Sequence, residues 1–204
     1  MKHAVIFDID GTLLASAQAD NSLYRRAVEF VLGPVRFRDD LADYTHVSDS
    51  GILVELLRDN GLDDDPKLIE AIKNRFLAET RNHVQEFGPF EEIPGARSLL
   101  SRLRQSESHA VAIATGGWSH TARFKLETAG FAVDSVPLRT SDDAIDRLAI
   151  MRLALASLGE GLASTTYYGD GPWDELACRR LGWSFRAVGP RLCGIESFEG
   201  ELVD

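Results

Sequence analysis

The sequence has few cysteines, no long apolar run and no cluster of basic residues, and each absence argues against a class of protein. Its 204 residues include two cysteines, Cys178 and Cys193, which lack zinc-site spacing and are too few for a disulfide framework. No apolar segment approaches the length of a membrane span, so we predict no membrane partner. The net charge of −10 and the lack of a Lys/Arg stripe argue against nucleic acid.

These properties favour a globular protein with one good core. Hydrophobic residues make up 44% of the chain, which is enough for that core and a small second one. The predicted first strand begins by residue 3, which leaves no room for a signal peptide and predicts a cytoplasmic location. The sequence leaves the oligomeric state open, with a monomer or a weak homodimer expected.

The most informative segment is a short apolar run that ends in two acids. Residues 4–7 are β-branched, aromatic or small and predict a short buried strand. Asp8 and Asp10 follow it, then Gly11 and the hydroxyl of Thr12. Desolvating carboxylates costs several kcal/mol unless a partner is present. Two acids at one strand end therefore predict a bound cation.

Apolar periodicity divides the chain into a helical part and an alternating part. Residues 14–92 have helical spacing throughout, whereas residues 93–204 alternate between strands and helices. Within the second part we predict a short strand over 135–138 and a buried helix, apolar nearly all round, over 144–158. The alternation predicts an α/β protein with a Rossmann-like parallel sheet built from 1–13 and 93–204, and an all-helical cap domain at 14–92.

Three predicted strands end in polar groups that should converge, because ligands bind beyond the carboxyl ends of the strands in open α/β sheets. The first ends at Asp8, the second in Thr115, Gly116 and Gly117, and the third at Asp170. Carboxylates from two strands suit an oxygen-coordinated Mg²⁺. The Thr115 hydroxyl and the amides after it suit phosphate oxygens, and the glycines permit close approach.

Three segments resemble motifs of a known enzyme family. Residues 8–12, 115–117 and 169–174 resemble motifs I, II and IV of the haloacid dehalogenase (HAD) superfamily. The helical insertion resembles the C1-type cap of its phosphoglycolate phosphatase-like branch, so the resemblance covers essentially the whole chain. It implies a Mg²⁺-dependent phosphatase that acts on a small phosphorylated metabolite.

The resemblance also implies a role for each matching residue. Asp8 would be the nucleophile that forms an aspartyl-phosphate, and Asp10 would be the general acid and base. The Asp10 carbonyl and the carboxylates of Asp8 and Asp170 would bind Mg²⁺, with Asp174 assisting directly or through water. Thr115 would hydrogen-bond the transferring phosphoryl group.

One element of the family pattern is different here. Motif III is usually a lysine, and residues 142–155 contain none. Arg147 is the best candidate for the phosphate-binding cation, although arginine and lysine differ in geometry. Lys125 is the rival, but its register in the predicted helix is typical of a surface position.

Two further predictions concern phosphate and substrate contacts. Gly11, together with Gly116 and Gly117, is expected to line the phosphate site. His46 lies in a polar stretch, residues 44–51, that opens a cap helix, and we list it as a candidate substrate contact, although most lone histidines have structural or solvent roles.

Three other functions are alternatives to the phosphatase. A phosphomutase of the β-phosphoglucomutase type would use the same Asp8 and Asp10, with a sugar hydroxyl attacking in place of water. A catalytically silent binding domain is suggested by the missing lysine. A 2-haloacid dehalogenase is disfavoured, because Asp10 supplies an acid that carbon–halogen displacement does not need. The identity of the phosphate ester is left open.

Overall fold

The computed structural model describes residues 1–201 and contains a five-stranded parallel sheet with helices around it. The strands are β1 (Lys2–Phe7), β2 (His109–Ala114), β3 (Leu138–Arg139), β4 (Leu162–Gly169) and β5 (Ser184–Ala187). The helices are α1 (Ala17–Leu32), α2 (Asp49–Asp59), α3 (Pro66–Phe87), α4 (Ala96–Gln105), α5 (Ser119–Thr128), α6 (Arg147–Ala156) and α7 (Pro172–Leu181). The strand order is β3-β2-β1-β4-β5 and every pairing is parallel. The predicted α/β class is confirmed.

β1 is the central strand, which explains its unbroken apolar run. Alternate side chains of a strand point to opposite faces of the sheet. Val5 and Phe7 accordingly pack in the larger core, which includes apolar residues of α1–α5, whereas Ile6 packs with residues of α6 and α7. Because both faces are covered, all four residues from Ala4 to Phe7 are buried and the acids after them begin at the edge of the core.

Three helices, α1 to α3, lie between β1 and α4, and we call residues 15–91 the helical insertion. The chain leaves and re-enters the sheet region at one place, where Leu14 bridges Glu92 and the Ile93 amide donates to the Leu13 carbonyl at 2.9 Å. Within the insertion α1 packs against α3. These bounds lie close to the predicted cap of 14–92, while the division into two domains stays a prediction.

Two predicted elements differ from the structure. The third strand has two residues, Leu138 and Arg139, and begins where the predicted 135–138 strand was to end. α6 starts at Arg147, and the prediction that it is buried nearly all round is wrong. Only its face towards the sheet, with Ile150, Met151 and Ala154, is buried, whereas Leu153 is 39% exposed. α6 packs on one face of the sheet, so its opposite side is open to solvent.

The structure also describes the length of the helices and the state of the two cysteines. Among the helices of residues 1–201, none is both long and apolar enough to cross a bilayer. Cys178 is buried in α7 and Cys193 is exposed, and both are free thiols.

Candidate active site

A cavity of about 570 Å³ lies at the carboxyl ends of β1, β2 and β4. The predicted convergence of the three strand ends is therefore observed. Most of the residues singled out from the sequence line this cavity: Asp8, Asp10, Gly11, Thr115, Gly116, Gly117, Arg147 and Asp170. Asp174 lies behind the cavity wall with no exposed surface, and His46 is not among the lining residues.

Arg147 is the cation that faces Asp8. It is the first residue of α6, after the N-cap Asp146, and its side chain is 7% exposed. Its Nη2 donates to Asp8 Oδ2 at 2.8 Å, and its Nε lies 2.8 Å from Asp174 Oδ1. Burial opposes the charged form, but the carboxylates of Asp174 and Asp8 outweigh it and raise the pKa of Arg147. The residue is therefore a fixed positive charge.

The Nη1 nitrogen of Arg147 is a third part of this guanidinium, besides the Nη2 that binds Asp8 and the Nε that lies beside Asp174. It is buried and has no hydrogen-bond partner within residues 1–201. A Cβ atom at Gly116 would come within 2.9 Å of it and within 3.0 Å of the Val47 carbonyl oxygen. A side chain at position 116 would therefore collide with both the arginine and the insertion. An unpaired buried N–H costs stability, so this nitrogen is suited to an anionic ligand.

Asp8 itself is held at both oxygens. Oδ2 accepts from Arg147, and Oδ1 accepts from the Ile9 backbone N–H at 2.8 Å. The side chain is buried, with 4% of the residue exposed. Two fixed donors leave the carboxylate one orientation, which is what a nucleophile in line with a bound phosphorus atom requires.

Asp8, Asp170 and Asp174 form an acidic cluster that fits a divalent cation. One oxygen from each carboxylate lies within 4.8 Å of the others. Burial and the charge of Asp8 raise the pKa of Asp170 to about 6. Gly11 has a left-handed φ of 78°, and a Cβ there would lie 2.5 Å from Asp170 Oδ2, so the turn after β1 requires glycine. Hard oxygen donors of this kind match Mg²⁺.

Asp174 has a different setting from the other two carboxylates. One of its oxygens faces Arg147 Nε, and the other accepts from the Gly171 N–H at 3.2 Å. Asp8, Asp170 and Arg147 line the cavity, whereas Asp174 lies behind them and is not a lining residue. Its role in metal binding, directly or through a water, stays a prediction.

Mg²⁺ is expected to raise the melting temperature more at about pH 7.5 than at about pH 5, because protons compete for the cluster. The raised pKa of Asp170 means that its carboxyl favours folding at low pH and costs stability as the pH rises through about 6 in the metal-free protein. Mg²⁺ at a concentration of about a hundred times its Kd would raise the free energy of unfolding by about 2.7 kcal/mol.

Thermal melts with and without Mg²⁺ at both pH values measure this difference. Asp170→Asn should lose the Mg²⁺-dependent shift, whereas Asp63→Asn, on an exposed turn, should keep it. An equal shift in both variants would contradict the assignment of the cluster.

Lys125 does not have the surface position predicted for it. Its side chain is 1% exposed, and its Nζ lies 2.6 and 2.7 Å from the two oxygens of Asp10 and 2.5 Å from Asp20 Oδ1. Burial lowers its pKa, but Asp10 and Asp20 outweigh this and raise it. The two candidate cations thus contact different acids, since Arg147 binds Asp8 and Lys125 binds Asp10.

Sequence reasoning missed Asp20, the second partner of Lys125. An acid in the first turn of α1 is ordinarily explained by the helix dipole, so nothing in the sequence singles it out. Burial and the neighbouring Asp10 raise the pKa of Asp20 to about 6. Ser16 adds a further contact, because its hydroxyl donates to Asp10 Oδ1 at 2.5 Å.

The start of α2 is hydrogen-bonded to the loop after β2. The Asp49 N–H donates to the Gly116 carbonyl at 2.8 Å, and the Trp118 N–H donates to Asp49 Oδ2 at 2.9 Å. The indole N–H of Trp118 donates to Ser50 Oγ at 2.8 Å. Ser48 caps the helix, so the Asp49 side chain is available to bind the Trp118 N–H. Hydrogen bonds therefore connect the helical insertion directly to the predicted phosphate loop.

His46 is not placed against the cavity. Its side chain is 39% exposed, and Nδ1 lies 3.6 Å from Asp146 Oδ1 at the N-cap of α6. Its neighbours Val47 and Ser48 line the cavity instead. In this conformation His46 contacts the start of α6, and its role as a substrate contact stays a prediction.

The family model for haloacid dehalogenase-like hydrolases matches residues 2–182. The chain belongs to this family. The match covers strands β1 to β4, the helical insertion and the strand ends that carry Asp8, Thr115 and Asp170, and it ends before β5. No curated protein matches the sequence significantly.

Several solved structures have a similar fold. A hydrolase from Pseudomonas syringae is 23% identical with a TM-score of 0.70, covering 90% of this chain and 83% of its own. CbbY from Rhodobacter sphaeroides in complex with phosphate is 21% identical with a TM-score of 0.68, covering 97% and 88%. A putative beta-phosphoglucomutase from Thermotoga maritima is 22% identical with a TM-score of 0.59, covering 96% and 89%. At these identities the likeness shows the shared fold.

Proposed function

We propose that this hydrolase is a Mg²⁺-dependent phosphatase that hydrolyses a small phosphorylated metabolite through an aspartyl-phosphate. The observation that carries the proposal is the guanidinium of Arg147, which binds Asp8 through one nitrogen and presents a second, buried and unpartnered, beside Gly116. One nitrogen of the guanidinium orients the carboxylate that would attack phosphorus. Another nitrogen is left to donate a hydrogen bond to the phosphoryl group under attack.

The chemistry follows from two acids with different partners. Asp8 attacks phosphorus, and its new O–P bond replaces the bond to the leaving oxygen. That oxygen takes a proton from Asp10, which enters this step in its protonated form. Asp10 then takes a proton from water, which attacks phosphorus and releases phosphate and Asp8. Mg²⁺ held by the cluster of Asp8, Asp170 and Asp174 would neutralise charge on the phosphoryl oxygens. Thr115, buried at the end of β2, offers its hydroxyl to the same oxygens.

Structural relatives support a phosphate ligand. CbbY is described in complex with phosphate, and another relative of 18% identity, with a TM-score of 0.61, is a putative phosphoglycolate phosphatase from Lactobacillus plantarum. We propose on the same ground that the helical insertion is a cap over the site. Its contacts through Asp49 and Ser50 to the Trp118 loop support this role.

Metal dependence of hydrolysis tests the proposal. The purified protein should hydrolyse p-nitrophenyl phosphate in Mg²⁺, lose about a hundredfold or more of that activity in excess chelator, and regain it when Mg²⁺ is restored. Release of p-nitrophenolate measures the rate. Full activity in excess chelator, or no hydrolysis of any ester in Mg²⁺, would contradict the proposal.

The phosphomutase is the second candidate, because one structural relative is a putative beta-phosphoglucomutase. Analysis of the products from sugar phosphates distinguishes the two, since a phosphatase releases inorganic phosphate and a mutase yields an isomeric ester. The silent binding domain was suggested by the missing motif III lysine. The position of Arg147 beside Asp8 weighs against it.

A further inference from the structure

We propose that the substrate is a phosphate monoester of an uncharged alcohol, and that the site discriminates against esters that carry a second anionic group. This inference rests on the proposed phosphatase function. The inference concerns the organic group that carries the phosphate. That group would contact the cavity wall opposite the strand ends.

That wall comes from the helical insertion and has no positive charge. Apart from two acids, it is formed mainly by neutral polar and apolar side chains: Gln18, Asn21, Tyr24, Leu41, Val47 and Ile52. No Lys or Arg of the insertion is among the described residues that line the cavity. A cavity of about 570 Å³ has room for an organic group beyond one phosphate.

The charged residues of this wall are both acidic. Asp20 lines the cavity and is paired with Lys125, and Asp49 lines it while accepting from the Trp118 N–H. Lys125 is itself not a lining residue, because Asp10 and Asp20 cover its ammonium group. A second phosphate or a carboxylate would meet carboxylates and apolar groups here, and such a charge would lose water without gaining a counter-charge.

Among the residues that the structure describes, the two cations that line the cavity, Arg147 and Arg191, both lie on the phosphate side. Arg147 is bound to Asp8 and lies against Asp174. Arg191 lies 3.6 Å from Asp170 Oδ2, with its guanidinium carbon 5.2 Å from the centre of the Trp173 ring. Their charge therefore falls where the transferred phosphoryl group and the metal would be.

Neutral hydrogen-bonding groups on α1 can recognise an uncharged alcohol. Gln18 and Asn21 are one turn apart on α1, and both are exposed residues that line the cavity. Residues at i and i+3 lie on the same helix face. Amides offer both donors and acceptors to hydroxyl groups, while Val47 and Ile52 offer apolar contact to carbon atoms.

Matched pairs of esters test this inference. 2-Hydroxyethyl phosphate and phosphoglycolate differ only in a CH₂OH or a carboxylate, and glucose 6-phosphate and glucose 1,6-bisphosphate differ by one phosphate. In Mg²⁺ we expect kcat/KM to be about tenfold or more higher for the neutral member of each pair. Hydrolysis of p-nitrophenyl phosphate in the same assay measures the phosphatase activity independently.

A positive charge placed on the insertion wall should reduce the preference for the neutral members. Asn21→Lys is expected to shift the kcat/KM ratio by about tenfold towards the anionic member of each pair. Ser22→Lys is the matched control, because residue 22 is exposed on the same helix and does not line the cavity, and its ratio should not change.

The outcomes separate the inference from the proposed function. If p-nitrophenyl phosphate is hydrolysed and the anionic members are preferred, the inference is wrong and the phosphatase stands. A preference for the anionic members that disappears in Arg191→Gln would identify Arg191 as the second anion site. If no ester is hydrolysed, both proposals fail.

Discussion

Asp8→Asn is expected to lower kcat for phosphate-ester hydrolysis by about a thousandfold or more, because an amide does not supply the attacking oxygen. The substitution is nearly isosteric. It keeps an oxygen for the Ile9 N–H or for Arg147, so the fold should persist. Turnover of p-nitrophenyl phosphate in saturating Mg²⁺ measures the effect, with circular dichroism to confirm folding.

Asp39→Asn is the matched control, since residue 39 is exposed and lies outside the residues that line the cavity. It should retain the wild-type rate. The covalent intermediate gives a second readout, because rapid acid quench of the wild type should yield a protein heavier by one phosphoryl group. Asp8→Asn should yield none. Full activity in Asp8→Asn would contradict the nucleophilic mechanism, whatever the metal dependence.

Lys125→Met is expected to lower the free energy of unfolding by about 3–5 kcal/mol, because it leaves two carboxylates without their counter-charge. The lysine is 1% exposed, and the side chains of Asp10 and Asp20 are 18% and 15% exposed. Methionine has similar length and fills the same space, so the loss comes mainly from the unpaired charges. Urea denaturation followed by circular dichroism measures the change.

Three variants show whether charge is the cause. Lys67→Met removes an exposed lysine from α3 and should change stability by less than about 0.5 kcal/mol. Lys125→Arg keeps the charge and should be less damaging than Lys125→Met. Adding Asp20→Asn to Lys125→Met should recover part of the loss, because one unpaired carboxylate is removed. A loss of less than about 1 kcal/mol in Lys125→Met would contradict this prediction. It would show that the ion pairs of Lys125 with Asp10 and Asp20 are solvated and contribute little to stability.

The strand-end residues were predictable because local chemistry identifies them. Asp8 and Asp10 follow an apolar run, Thr115 precedes two glycines, and Asp170 follows a fourth strand. Parallel strands bring their carboxyl ends to one edge of the sheet, so three separate segments had to meet. The α/β class and the helical insertion follow from apolar periodicity in the same way.

The buried face of each helix was less predictable. α6 was expected to be buried nearly all round, yet Leu153 is exposed because one face of the sheet covers only one side of the helix. Lys125 was expected on the surface, yet it lies with Leu126 on the buried side of α5. A charged residue among apolar neighbours gives no signal of burial unless its partners are known, and Asp10 and Asp20 are more than 100 residues away.

The sequence alone determined which side chains stand at the strand ends and therefore the family of the chain, since those features depend on short segments and on the rule that parallel strands end together. The tertiary structure decided which cation faces which acid. Arg147 contacts Asp8 and Lys125 contacts Asp10, and both pairings join residues over 100 positions apart. The same long-range packing decides that, within residues 1–201, no Lys or Arg of the helical insertion lines the cavity. Such pairings depend on how helices rest on the sheet, which no local pattern encodes.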